Sequence, residues 1–369
     1  MDRDTLVRAR WFSWRRQRLD RSCAGVVDCL RSVVGVYSSN PQGPLSLLAR
    51  VPRLMKGAAI EGVIDTKRAV RIPAMRGSVF MVATQDAPAV FAATRNATPV
   101  EWLLRRSGIG RRLYARIRSE VLAAATAPVS VEALRAGVTR PPRNLSVALQ
   151  AMTAEGVLVR VGSPSLRAND PTYAATESWL GGPMPGVDAA EARAWLAGGY
   201  LHAFGPARAD DFAWWSGMKA AAAREALATH DPIDVGGGYL LHRADERAFA
   251  GTRPMTGRVN LLPKWDCYTM GYAPDGRARF LPPAMGAAAY SAGGDAQPVI
   301  LVDGMVRGTW SIRFAGRSAE ITLDPPGRLS SRTRRALGDE ARLIGSFFEV
   351  ARLDVRPSAG RTSPSRERR

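Results

Sequence analysis

Apolar residues in the stretch 143–156 (RNLSVALQAMTAEG) recur at helical spacing through Leu145, Leu149 and Met152, and Gly156 predicts the stop. Directly after it, Val157, Val159 and Val161 alternate as in a half-buried strand. A polar loop, GSPSLRAND, then leads to a second short strand around PTYAAT. Upstream, Val129, Ser130 and Val131 lead into EALRAGV, a short helix ending at Gly137 before the Pro141-Pro142 turn. Helix, helix, hairpin is the winged-helix order, in which the second helix can enter a major groove and the hairpin can touch the backbone or the minor groove.

The same order recurs twice, less cleanly. Near the N-terminus SCAGVVDCLRSVVGV, PLSLLARV and MKGAAIEGVI read as helices, followed by strands AVRIP and SVFMVAT on either side of Met75-Arg76-Gly77. Later, AAEARAWLAGGYLHAFG, ADDFAWWSGM and MKAAAAREALATH read as helices and YLLHRAD as a strand. From about residue 255 the pattern changes to short strands and turns: NLLPKWDCYTMGY, RARFLPP, QPVILVDGMVRGTWSIRFAG and SAEITLDPP. Asp303-Gly304 is a strong hairpin signal. A closing helix with a serine cap carries an apolar face through Leu337, Ala341, Ile344 and Phe348.

These elements predict an α+β chain of three tandem winged-helix (helix-turn-helix) modules and a small C-terminal β-rich domain. The expected boundaries are 1–95, 96–182, 183–254 and 255–354, with 355–369 a disordered basic tail, because VRPSAGRTSPSRERR lacks apolar residues to offset ordering entropy. The repeat rests on the order of elements, not on sequence identity between modules.

Composition sharpens this picture. The chain has 369 residues with 52 Lys+Arg against 33 Asp+Glu, a formal charge of +19, and 46% hydrophobic residues, ample for buried cores. Only Lys56, Lys67, Lys219 and Lys264 are lysine, a skew a GC-rich genome would produce; the net charge itself is harder to ascribe to such a bias. A field of this sign attracts polyanions. Nucleic-acid binding is therefore the leading class, against a merely solubilising surface. No window reaches the roughly 18 consecutive apolar residues of a membrane span, so the expectation is a cytoplasmic protein, monomeric and without membrane association. Cys23, Cys29 and Cys267 are odd in number and lack CxxC spacing, and His202, His230 and His242 lie far from them in sequence. Neither a disulfide framework nor a metal site is expected. The GxxxxGK[ST], GxSxG and HExxH motifs are all missing, and no cofactor is implied.

The charge is clumped. Residues 95–118 hold seven arginines against Glu101, and residues 1–21 hold seven against Asp2, Asp4 and Asp20. Read as one helix, Arg105, Arg112 and Arg116 fall at i, i+7 and i+11 on one side, an electrostatic rail for phosphates rather than a mixed solvated surface. The second winged helix offers Arg143, Asn144 and Gln150, with Arg140 just before it, types suited to phosphate and base-edge contacts or to an ordinary solvated face. Trp11 and Trp14 among their arginines could stack on bases; the buried side of an amphipathic first helix is the commoner use.

Four segments carry a family resemblance: GVYSSNPQGPLSLLARV at 35–51, RIPAMRGSVFMVATQD at 71–86, GGYLHAFGPARADDFAWWSGM at 198–218, and LLPKWDCYTMGY at 261–272 continuing into PVILVDGMVRGTW at 298–310. Together they resemble, in order, the AlkZ/YcaQ-like winged-helix DNA glycosylases that act on alkylated and crosslinked DNA. The resemblance implies three winged helices in a C-shaped body and a C-terminal β domain. It also implies double-stranded DNA, alkylated, as partner, with Arg76 of the AMRG element among its contacts, and hydrolysis of the N-glycosidic bond of an alkylated purine. Such a lesion is cationic and already a good leaving group, so the enzyme mainly stabilises a cationic sugar and positions water.

The chain departs from that family where chemistry is expected. Family enzymes carry Gln-x-Gln or Gln-x-Asp after a Gly-hydrophobic pair; here Gly35-Val36 is followed by Tyr37-Ser38-Ser39-Asn40. Phe80 stands where many relatives have His. Tyr37, Ser39 and Asn40 are the candidate water-holding residues, and Asp266 is a candidate acid. Equally, Tyr37 reads as a core aromatic and Asp266 as a structural turn carboxylate, and the chain as a DNA-binding protein without chemistry: a transcription regulator or a lesion-binding resistance protein.

Overall fold

The structure, a computed structural model, describes residues 2–51, 56–95, 99–163 and 165–358. It is an α+β fold built on two main sheets. In chain order the strands are β1 (Val36–Tyr37), β2 (Ala69–Pro73), β3 (Val79–Ala83), β4 (Val129–Ser130), β5 (Leu158–Gly162), β6 (Thr172–Ala175), β7 (Ile233–Asp234), β8 (Leu240–Leu241), β9 (Val259–Leu262), β10 (Val299–Val302), β11 (Met305–Ala315), β12 (Ser318–Asp324) and β13 (Arg352–Pro357).

The first sheet runs β1-β3-β2-β5-β6-β4. Its β2–β3 hairpin pairs Ile72 with Phe80, and β2 meets β5 at Arg71 and Arg160. The sheet is therefore continuous across the boundary expected near residue 95, and Val159, Val161 and Ala174 of the second hairpin share the core of the first segment. The helices of residues 131–155 follow the sequence closely. Ser130 caps Val131–Gly137 by accepting from the Ala133 N–H, and Leu145–Glu155 ends at Gly156, whose φ is +78°. A Cβ at Gly156 would lie 2.8 Å from the Phe91 ring, so close packing as well as backbone conformation demands glycine there. Ile117, Val121, Leu134, Leu145, Leu149 and Met152 form a separate core under this segment. Truncating any one of its leucines to alanine costs about 2–5 kcal/mol.

The N-terminal helix Arg3–Arg16 reaches beyond the first segment to the C-terminal half. Asp2 caps it by accepting from Thr5, and its buried face carries Trp11, Phe12 and Trp14. Trp14 donates to the Asn260 side chain at 3.0 Å, and the Phe12 ring meets Phe249 edge-on at 5.4 Å. The two tryptophans are thus core residues clamping the C-terminal half, not stacking platforms for bases.

In the third segment, helices Ala189–Phe204, Ala209–Ser216 and Ala220–Ala228 are followed by the two-stranded β7–β8 ribbon. The expected strand YLLHRAD shrinks to Leu240–Leu241, because His242 accepts from the Ala244 N–H and starts a 3-10 turn.

The second sheet runs β13-β12-β11-β10-β9, with the Asp303-Gly304 turn joining β10 to β11. Three expectations change here. CYTMGY is a short helix, Cys267–Met270, capped by Asp266, and RARFLPP lies in the 3-10 segment Pro274–Arg279 and its exit rather than in a strand; Pro282 and Pro283 have no N–H to give a ladder. Ser330 caps the closing helix Ser331–Phe347 as expected, but the chain continues into β13, parallel to β12. Residues 355–357, expected in a disordered tail, are therefore strand: Leu353 and Val355 pack on the core from one face while Arg352, Asp354 and Arg356 alternate with them. The rest of the expected tail, 359–369, lies outside the described residues. Among the described residues no helix is long and apolar enough to cross a membrane.

Candidate functional site

Strand β1 is two residues long and ends in a tight corner. Gly35, at φ +83°, precedes it, with Val82 and the Met81 carbonyl where a Cβ would stand. Val36 pairs with Met81 and Tyr37 with Phe80. The corner is then fixed by short bonds. Ser38 N–H donates to the Val79 carbonyl at 2.8 Å, the Ser39 hydroxyl accepts from the Val79 N–H at 2.9 Å, and the Asn40 side-chain oxygen accepts from the Gln42 N–H at 2.8 Å. Gly43 closes the turn against the Tyr37 carbonyl, only 2.2 Å from where a Cβ would be. Beneath, buried Arg71 donates to the Ser38 hydroxyl at 3.0 Å and pairs with Glu61 at 2.9 Å.

The four candidate residues separate on this geometry. Tyr37 is 3% exposed, with its hydroxyl unpartnered inside the core and its ring 4.2 Å from that of Phe80. Burial pushes its pKa up, although the Arg76 charge pulls the other way. A phenol held neutral and shut from solvent neither carries water nor accepts a proton from it. Ser39 and Asn40 are half-buried, and each uses one oxygen in holding the corner. The Asn40 amide N–H groups have no partner within the protein among the described residues.

Asp266 lies in the adjoining loop, where Cys267 Sγ contacts the Gly35 carbonyl at 3.5 Å. It is fully buried and meets fully buried Arg50 through two bonds of 2.8 Å, while also capping Tyr268. Burial works against the Arg50 charge, and Asp266 more than offsets it. This is a structural ion pair: the carboxylate has no open face to offer a water molecule, which removes Asp266 as an accessible acid.

The expected phosphate rail also changes. Arg105 sits in helix Val100–Arg106, whereas Arg112 and Arg116 sit in Arg111–Ala124, with Ser107–Gly110 between them and Gly108 at φ +65°. The i, i+7, i+11 spacing is therefore not one helical stripe; only Arg112 and Arg116, four residues apart, share a helix face. All three are exposed without a carboxylate partner among the described residues, unlike Arg111, which pairs with Glu101, and Arg118, which pairs with Glu155. Arg140, at φ +51°, Arg143 and Gln150 are exposed. Asn144 is half-buried and donates to the Ser107 carbonyl at 2.7 Å, so its amide ties the two helical layers together instead of facing outward.

Arg76 occupies the tip of the β2–β3 hairpin at φ +57°, exposed, with its guanidinium 4.2 Å above the Trp214 ring. Arg277 lies 5.2 Å from the same ring and 3.8 Å from Tyr290. Sequence reading missed Trp214 and Arg277; the signal available was the WW pair in ADDFAWWSGM and the arginine in RARF.

All three histidines of the chain converge. His202 and His242 stack at 3.9 Å, His230 lies 5.6 Å from His242, and His202 bonds Asp245 at 2.7 Å. Donor atoms of His202, His242 and Asp245 fall within 4.8 Å of one another. Arg16 already pairs with Asp245, and stacked rings do not converge their nitrogens on one point, so the donor set fits a structural network better than a cation.

The fold has a solved counterpart. Over 95% of this chain and 98% of the other, it superposes on Streptomyces sahachiroi DNA glycosylase AlkZ with a TM-score of 0.74 at 22% identity. The chain belongs to the AlkZ-like DNA glycosylase family, whose sequence profile ("DNA glycosylase AlkZ-like") matches residues 30–347. None of the curated proteins compared matches it in sequence.

Proposed function

We propose that this protein binds double-stranded DNA as a monomer through winged-helix modules and acts as a monofunctional glycosylase on alkylated purines, bulky N7-guanine or N3-adenine adducts and crosslinks among them. The observation that carries this reading is the family match across residues 30–347, which spans the β1 corner, the Arg76 hairpin and the Trp214 helix together. In the second module, helix Leu145–Glu155 presents Gln150 outward with Arg140 and Arg143 exposed just before it, and helix Arg111–Ala124 exposes Arg112 and Arg116, which have no carboxylate partner among the described residues.

The reaction suits a corner with no unpaired carboxylate among the described residues. In a purine cationized by alkylation, the C1′–N bond breaks with its electron pair moving to the base, which leaves neutral; the sugar becomes an oxocarbenium ion. Water then adds at C1′ and gives its proton to solvent. Once the leaving group is this good, the protein need only place water and tolerate developing charge. On this reading Asn40, whose amide N–H groups have no partner among the described residues, holds the water, with Ser39 beside it in the chain. The step consumes only water and needs no cofactor.

A second reading has its own support. With the Tyr37 hydroxyl buried, Asp266 paired with Arg50 and Glu61 paired with Arg71, the corner has no unpaired carboxylate among the described residues, as a catalytically silent DNA-binding protein would have. Incubating N7-alkylated duplexes of several adduct sizes with the protein and assaying abasic sites separates the two. Release above the spontaneous rate supports the glycosylase; a DNA shift with steep salt dependence and no release supports the binder.

A further inference from the structure

Around Trp214 the positive charge is not balanced. The nearby acids are already engaged: Arg208 bonds Asp211 at 3.1 Å and Asp275 at 2.7 and 2.8 Å, and Asp210, one turn before Trp214 on its helix, pairs with Arg224 at 3.2 Å. Asp211 is further enclosed by Gly276, where a Cβ would fall 2.1 Å from its oxygen. The neighbouring Arg279 is buried and donates through both terminal nitrogens, to the Pro206 carbonyl at 2.6 Å and the Phe204 carbonyl at 3.5 Å, leaving only its Nε without a partner. Arg277 is different. It is 5% exposed and donates only through Nε, to the Tyr272 carbonyl at 3.3 Å, and its Nη2 is buried without a partner. Arg76, across the Trp214 ring, has no carboxylate partner among the described residues either.

Burying a guanidinium without a direct ion-pair partner and setting a second one beside the same ring is costly in the free protein. Burial pulls the Arg277 pKa down and the Arg76 charge acts in the same direction, while Tyr290, Asp211 and Asp275 offset part of this from the other side. The backbone holds this arrangement firmly: Arg76 adopts a left-handed conformation, and Gly217 at the end of the Trp214 helix would bring a Cβ to 3.3 Å from the Arg76 backbone. Beyond Gly217 lies a cavity of about 310 Å³ whose charged lining is Arg193 and Lys219, with no acid.

We infer that Arg76, Trp214 and Arg277 form a seat for one DNA backbone phosphate beside the β1 corner, Arg76 touching the phosphate across the Trp214 ring and Arg277 acting as a positioning residue that holds the ring and supplies a second, buried charge from behind. The seat rests on the DNA-binding part of the proposed function and is independent of base release. An incoming phosphate supplies the direct ion-pair partner that neither arginine has among the described residues, and the planar guanidinium and indole faces fix its place relative to Asn40.

The test is binding of an undamaged duplex, measured by fluorescence anisotropy across salt concentrations, for the wild type, Arg76→Gln, Arg277→Gln and the double variant, each checked for its melting temperature. Arg76→Gln is expected to lower the slope of log affinity against log salt by about one. Arg277→Gln is expected to weaken binding about threefold to tenfold alone, and less than about twofold in the Arg76→Gln background. An unchanged slope in Arg76→Gln overturns the seat, as does an Arg277 effect equal in both backgrounds. If Arg277→Gln does not fold, Arg277→Lys replaces it: several-fold weaker binding than wild type is expected because the planar stack is lost, and wild-type affinity contradicts the role. A protein that fails to release any base yet shows this coupling keeps the seat and loses only the glycosylase reading.

Discussion

Tyr37 and Phe80 are direct cross-strand partners between β1 and β3, their ring centroids 4.2 Å apart. These are the two positions at which the family resemblance leads one to expect glutamine and histidine. An aromatic pair thus fills a place expected to be polar, and the two departures are one packing event. Removing the Tyr37 hydroxyl should be harmless, since the group is buried without a partner. Tyr37→Phe is predicted to keep or slightly raise the melting temperature and to leave base release unchanged; a tenfold loss of release in a folded variant would show that the hydroxyl is used.

Catalysis on this account rests on Asn40 and Ser39. Asn40→Ala is predicted to lower single-turnover base release roughly tenfold to a hundredfold with duplex affinity retained. Ser39→Ala should cost, in addition, about 1 kcal/mol of stability through the lost bond to the Val79 N–H. Equal losses of affinity and release in Asn40→Ala would assign it to binding.

Arg50 and Asp266 stabilise the loop beneath the corner, and breaking the pair leaves a charge buried alone. Asp266→Asn or Arg50→Met is predicted to destabilise the protein by about 3–5 kcal/mol in denaturant unfolding. A stability within about 1 kcal/mol of the wild type would show that the carboxylate is not spent on structure.

The histidine cluster predicts an acid dependence of stability. Burial first, then His242, Arg16 and His230, hold His202 down at about 4, below the usual value near 6.5. Between those values the unfolded chain binds a proton that the folded chain refuses, so this contribution to stability falls as pH drops from about 6.5 to about 4 and is level below. Melting curves across that window should fall less steeply for His202→Asn; identical slopes would mean that His202 titrates normally.

Much of the fold was legible where local chemistry decides it. A serine caps the closing helix, Gly156 ends another, and Asp303-Gly304 turns a hairpin, each a signal confined to a few residues. Elements whose fate depends on distant partners were not. The Arg3–Arg16 helix joins the C-terminal half through Trp14 and Asn260, and β13 forms only because β12 offers it an edge. In the site, sequence singled out the β1 corner and Arg76. It could not tell that Tyr37 points inward, that Asp266 meets Arg50 from 216 residues away in sequence, or that Arg277 reaches Trp214.

The most direct measurement is single-turnover base release from two otherwise identical duplexes, one carrying cationic N7-methylguanine and one carrying neutral hypoxanthine. The account predicts release of the cationic base above its spontaneous loss, in proportion to protein, with the neutral base untouched. No acceleration for the cationic base, under conditions where the duplex is fully bound, would contradict it.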